Sequence, residues 1–181
     1  GKSTQIKLLG EYLQSKGKKV FYFHAVQNGL ALKISRLFNS GNKNKELKSV
    51  TEASWTQIQL RKLFLAVDIF LFKKLLKRLE QENYDYVLSD RYFFDSVINI
   101  QFLEKNNEFG KKFPQPAKAF YLDVDLKVIM QRERVPDQGL EYLEKKRELF
   151  KNKIREWNMV LVNGERNKEE IFEEILKGLD R

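Results

Sequence analysis

Apolar positions recur along this chain in two rhythms, three-to-four and continuous. After Gly1-Lys2-Ser3-Thr4, the residues Ile6, Leu9 and Leu13 fall at helical spacing. Lys16-Gly17-Lys18 closes that helix, because glycine accepts the left-handed turn in which helices end. Lys19-Val20-Phe21-Tyr22-Phe23 then reads as a strand. Leu30, Ile34, Leu37 and Phe38 predict a short helix over 30–38, followed by a polar loop from Ser40 to Lys45. A long helix is predicted from about Thr51 to Glu82, where Leu60, Leu63, Phe64, Val67, Phe70, Leu71, Leu75 and Leu79 return every third or fourth residue. Asp85 to Asp90 is a short apolar strand with polar ends, and Asp95 to Lys105 is helical. Ala119 to Val124 is another strand, introduced by Pro114 and Pro116. Helices follow at Asp125 to Arg134 and Leu140 to Trp157, then a strand at Met159 to Val162. Asn167 with Glu170 three residues on has the spacing of a capping box and opens a final helix.

Apolar strands separated by helices predict an α/β fold, a parallel sheet with helices on both faces. No internal repeat or long linker interrupts the 181 residues, so a single domain is expected over 1–181. In such sheets ligands bind beyond the carboxyl ends of the strands. That rule directs attention to Asp90-Arg91, to the residues after Phe23, and to Asn163-Gly164.

Composition narrows the chemistry. The chain has no cysteine and one histidine, His24, so thiolate sites, disulfides and multi-histidine metal centres are excluded. Lys and Arg number 34 against 25 Asp and Glu, a net charge of +9 that suits a phosphate-bearing ligand. No run approaches the roughly 18 apolar residues of a membrane helix, and no targeting signal is visible, which predicts a cytoplasmic protein with no membrane partner. The surplus of charge also admits a nucleic-acid-binding module. The chain lacks the interleaved basic and aromatic residues that single-strand binders use, however, so no nucleic-acid partner is expected.

Gly1-Lys2-Ser3-Thr4 ahead of a helix is the second half of a phosphate loop, G-x-x-x-x-G-K-[ST]. Glycine lets backbone amides approach a phosphate, the helix start supplies unpaired N–H donors, lysine adds charge, and the hydroxyl of Ser3 is suited to ligating magnesium. The first strand and the first half of that loop are absent from the sequence, which is expected to be truncated there. Ser89-Asp90-Arg91-Tyr92 follows a strand directly. There Asp90 is placed to hold a metal's water shell, and Arg91 to clamp a phosphate bidentately.

Gly1-Lys2-Ser3-Thr4-Gln5, Ser89-Asp90-Arg91-Tyr92 with Asp95-Ser96 and Gln101, and Phe120-Tyr121-Leu122-Asp123-Val124 leading to Arg132 together resemble thymidylate kinases. Val160-Leu161-Val162-Asn163-Gly164 looks like that family's last strand and nucleotide-base loop, and the similarity covers nearly the whole chain. The resemblance implies a three-layer phosphate-loop fold and transfer of the γ-phosphoryl of ATP, with magnesium, to a nucleoside monophosphate, above all dTMP. It implies ATP contacts from Gly1, Lys2, Ser3, Thr4, Asn163 and Gly164, and metal support from Ser3 and Asp90. Arg91 would hold the acceptor's phosphate, with Phe64 stacking on its base and Ser96, Asn99 and Gln101 near its nucleoside. Arg132 and Arg134 are the candidates for a lid that closes on the donor phosphates. A homodimer paired through helices is also implied.

The acceptor side departs from the family pattern. The family usually carries an Arg-Glu-Pro-Gly-Gly-Thr-like segment where this chain has His24-Ala25-Val26-Gln27-Asn28-Gly29. Asp68 stands close to where an arginine usually follows the Phe-Leu-Ala segment, and one residue is inserted between Tyr92 and Asp95. A kinase for another small acceptor, or a nucleotide-binding paralogue with weak or no dTMP kinase activity, is the alternative reading.

Overall fold

A computed structural model describes residues 1–23, 53–105, 113–131 and 139–179. The expected helix over 30–38, the loop at 40–45, His24, Arg132 and Arg134 lie outside the described residues. The chain divides into two compact units, Gly1–Lys16 with Gln115–Arg181, and Gly17–Pro114.

The second unit contains β1 (Val20–Phe23), α2 (Trp55–Gln81), β2 (Tyr86–Ser89) and α3 (Phe93–Glu104). β1 and β2 pair in parallel, from Val20 opposite Tyr86 to Phe23 opposite Ser89. Their amino ends are fastened by a reciprocal exchange. The Lys19 amide donates to the Asp85 carboxylate at 2.8 Å, and the Asp85 amide donates to the Lys19 carbonyl at 2.9 Å. That first bond holds the Asp85 carboxyl below its ordinary pKa. α2 starts where Ser54 and Gln57 cap each other reciprocally, which satisfies two amides the helix itself leaves unpaired. Ile58, Leu65, Ile69, Phe72 and Leu79 form its buried stripe, and the helix packs on α3. Phe72, Phe93, Phe94 and Phe113 cluster around Tyr92, and Phe23 meets Phe72 and Phe93, the rings lying edge-to-face or tilted, as their quadrupoles favour. Val97 and Ile98 complete this core, Ile98 being wholly buried.

The first unit contains α1 (Lys2–Ser15), β3 (Ala119–Asp123), α4 (Leu126–Met130), α5 (Leu140–Lys153), β4 (Met159–Asn163) and α6 (Lys168–Leu179). β3 and β4 are parallel, from Ala119 opposite Met159 to Asp123 opposite Asn163. α1 buries Gln5, Leu9 and Leu13 and packs against α6, with the Gln5 amide donating to the Lys168 carbonyl at 2.8 Å. α6 lies on β4. There Gly178 approaches the sheet so closely that a Cβ would sit 2.6 Å from the Phe120 ring. Tyr121 stacks on Phe150, and Trp157 meets Phe150 edge-on.

The expected parallel pairing is present, with helices between paired strands. The four described strands form two two-stranded ladders, β1–β2 in one unit and β3–β4 in the other. Several helix bounds also differ from expectation: α2 begins at Trp55 rather than about Thr51, and α4 ends at Met130 within the expected Asp125–Arg134 helix. α3 begins two residues earlier, because Phe93 and Phe94 are drawn into the aromatic cluster. α5 ends at Lys153 rather than Trp157, where the chain turns and Asn158 takes a left-handed conformation before β4.

Candidate functional site

The amino terminus of α1 has the chemistry of an anion site. Gly1 is its N-cap, no side chain caps it, and no acidic residue stands in its first turn. Among the described helices only this one has neither. Side chains cap α2, α4 and α6 through Ser54, Asp125 and Asn167, while Asp95 and Glu141 sit in the first turns of α3 and α5. A helix start carries a partial positive charge, and neither a side-chain cap nor an acidic residue is set against it here. Lys2, Ser3 and Thr4 are all exposed at this end, and a Cβ built on Gly1 would meet nothing within 4 Å. A polyphosphate can therefore approach the backbone closely.

At the carboxyl ends of β3 and β4, in the same unit, the two loops are tied together. The Gly164 amide donates to the Asp123 carbonyl at 2.8 Å. A Cβ at Gly164 would lie 2.7 Å from Val124 Cγ2 and 3.1 Å from that carbonyl, so only glycine fits. The Asp125 amide donates to Glu165 at 2.8 Å, and the Glu165 amide donates to the Asn163 side chain at 3.0 Å. Asn163 and Gly164 are thus parts of a fixed turn.

Sequence reasoning missed two cations here. Arg147 donates to Asp123 Oδ1 at 2.7 Å, and Lys151, one helical turn on, lies 2.9 Å from Oδ2. Arg147 also reaches Asp125 at 3.9 Å. The hydrogen bond from Arg147 is the main cause holding the Asp123 carboxyl below its ordinary pKa. The same bond raises the Arg147 guanidinium. The signal available was a pair of cations at i, i+4 on α5 and an aspartate at a strand end. Nothing local joins them.

In the second unit, the carboxyl end of β2 delivers Asp90 and Arg91. Arg91 takes a left-handed backbone, φ 64°, which costs a non-glycine residue about 1–2 kcal/mol. The Ser89 hydroxyl donates to the Arg91 carbonyl at 2.7 Å and spans this turn. Tyr92 follows in extended conformation. Its hydroxyl donates to the Pro114 carbonyl at 2.6 Å, and burial pushes its pKa up. Arg91 remains exposed, with one guanidinium nitrogen 4.0 Å from Asp95. Asp95, Ser96 and Asn99 occupy one side of α3 and are half-buried, and of the three Asp95 is the one seen in contact with Arg91. Gln101 lies on the opposite side of the helix, buried, and is not brought to them. Phe64 and Asp68, one turn apart on α2, are half-buried on the flank of that helix's buried stripe.

No group of three or more His, Cys, Asp or Glu among the described residues could cage a metal ion. Magnesium needs none, since it commonly keeps several waters and takes one or two protein oxygens with the rest from phosphates. The hard oxygens of Ser3 and Asp90 suit that ion.

A family model described as "Thymidylate kinase" matches residues 1–175. The thymidylate kinase of Thermosipho africanus is 29% identical, over 97% of this chain and 90% of that protein. The thymidylate kinase of Fervidobacterium nodosum is 30% identical, over 98% and 91%. A probable thymidylate kinase of Saccharolobus solfataricus is 23% identical, over 98% and 89%.

Proposed function

The chain belongs to the thymidylate kinase family and is a nucleoside monophosphate kinase, and from that premise we propose that it transfers the γ-phosphoryl of ATP to dTMP, giving dTDP and ADP. The observation that carries this reading is the uncapped start of α1 with Lys2, Ser3 and Thr4 exposed around it. An oxygen of the acceptor phosphate attacks the γ-phosphorus as the bond to the β–γ bridging oxygen breaks. Two polyanions must meet, and the transition state spreads charge over the moving oxygens, so placed cations do most of the work.

The backbone amides of Gly1 to Thr4 cradle the donor phosphates and Lys2 neutralises their developing charge. Asn163 and Gly164 form the donor's base-side turn. Arg91 grips the acceptor phosphate, Phe64 stacks on its base, and Ser96 and Asn99 contact its nucleoside. Ser3 and Asp90 are the residues that would hold magnesium, which when bound neutralises the β and γ oxygens. Arg132 and Arg134 complete the catalytic set on sequence grounds. The three-layer phosphate-loop fold and a single kinase domain belong to the same proposal, supported by the two parallel ladders and the family match. No helix among the described residues is long and apolar enough to cross a membrane, and we take the cytoplasm, where ATP is held, as the protein's location.

A coupled assay of ADP release with ATP, magnesium and dTMP tests this. Lys2→Ala should lower kcat by about 10²-fold or more with the circular dichroism spectrum unchanged; an unchanged rate would remove Lys2 from its role. A second reading, a different small acceptor, is favoured by Asp68 standing half-buried one turn from Phe64, where a carboxylate repels a phosphate. Calorimetry separates the two. ATP binding without dTMP binding supports the second reading, and tight binding of both supports the first.

A further inference from the structure

We propose that Ser89 is a positioning residue for phosphoryl transfer, whose hydroxyl holds the left-handed turn at Arg91 and thereby aims the guanidinium at the acceptor phosphate. The inference rests on the reading of Arg91 given above. An arginine at φ 64° does not stay there unaided, because the right-handed and extended basins lie lower. Such a conformation persists only when its surroundings over-determine it.

The restraints are visible on both sides of the residue. On the far side, Tyr92 is anchored by its ring in the aromatic cluster and by its bond to the Pro114 carbonyl. On the near side, Ser89 is the last residue of β2, opposite Phe23 in the parallel ladder. Its hydroxyl reaches across Asp90 to the Arg91 carbonyl at 2.7 Å. The bonded oxygen belongs to the peptide plane between Arg91 and Tyr92, so the hydroxyl fixes the rotation of that plane. Rigidity of the ladder is passed to Arg91 through this one bond. Without it the plane can turn, the Arg91 Cα–Cβ direction swings, and a long side chain amplifies the swing at its tip. The 4.0 Å contact with Asp95 is too loose to hold the guanidinium by itself.

A hydroxyl is what the position needs, and bulk is not. Threonine keeps the donor and suits a strand, whereas alanine removes only the oxygen. The test is calorimetric binding of dTMP and of ATP, with steady-state kinetics on both substrates, for wild type, Ser89→Ala, Ser89→Thr, Arg91→Ala and the Ser89→Ala/Arg91→Ala pair. Ser89→Ala should weaken dTMP binding and raise its KM about tenfold while the ATP values stay unchanged. Ser89→Thr should restore the dTMP values to within about twofold. In the Arg91→Ala background the serine change should have no further effect. If Arg91→Ala weakens dTMP binding and Ser89→Ala does not, or if Ser89→Ala depresses both substrates equally, the positioning role is overturned and the reading of Arg91 stands. If Arg91→Ala leaves dTMP binding intact, or wild type binds none, the reading of Arg91 itself falls and takes this inference with it.

Discussion

Four non-glycine residues among those described have positive φ, and three have ordinary reasons for it. Asn83 and Asn158 are asparagines in turns, a residue type that tolerates the conformation, and Lys105 ends α3. Arg91 is the exception, a long cationic side chain on a strained backbone at the end of a strand. Strain of this kind is separable from the chemistry of the side chain. Arg91→Ala and Arg91→Gly both delete the guanidinium, but only glycine is at ease at φ 64°. Arg91→Gly should therefore be the more stable variant by about 1 kcal/mol in thermal or urea unfolding. Equal stabilities, or alanine the higher, would contradict the strain. The identity of Arg91 was legible from Ser89-Asp90-Arg91-Tyr92, but its conformation was not. An arginine has no local preference for that basin, and the bonds that impose it run from Ser89 and through Pro114, 22 residues beyond Tyr92.

At the scale of the element, hydrophobic period located the helices and strands but, in a helix as rich in apolar residues as α2, did not identify the face it buries. The strands fall close to their expected bounds, but α2 buries Ile58, Leu65, Ile69, Phe72 and Leu79, a stripe that shares only Leu79 with the expected one, while Leu60, Leu63, Phe70 and Leu71 are exposed. Ser54-Trp55-Thr56-Gln57 has the spacing of a capping box and marks the true start of α2, a signal present in the sequence. The cations Arg147 and Lys151 were not legible, because on α5 alone they are two more charges on a polar helix. Only the fold brings β3 to them. Their partner Asp123 makes a prediction about acid. Its folded pKa lies below the unfolded value, so its contribution is complete above about pH 4 and fades as pH falls through the folded value. Asp123→Asn should cost roughly 1–3 kcal/mol at pH 7 and flatten the loss of stability below pH 4. Denaturant midpoints measured from pH 3 to 7 would check it, and a variant that keeps the wild-type acid slope would refute it.

For the whole molecule, the open question of assembly turns on the outer side of α2. Leu60, Leu63, Phe70 and Leu71 are each between 44% and 57% exposed on a helix that already has a full buried stripe. Apolar area of that kind in contact with water is a recognised mark of association. A homodimer through this face, proposed with the family reading, predicts a light-scattering mass of about twice 21.6 kDa. Leu63→Glu should return it to the single-chain mass with the helix content intact. A monomeric wild type would dismiss the dimer. The first unit has a different consequence, written in the bond from Gln5 to Lys168, which spans 163 residues. Of the elements described in this unit, α1 is the first in sequence and the helix that covers it is the last. On a ribosome adding roughly 5–20 residues per second, α1 waits on the order of ten seconds for α6 with Leu9 and Leu13 uncovered. The proposed phosphate-binding helix is thus packed only after Lys168 has been made, and a chaperone that shields nascent apolar segments has its natural client in α1.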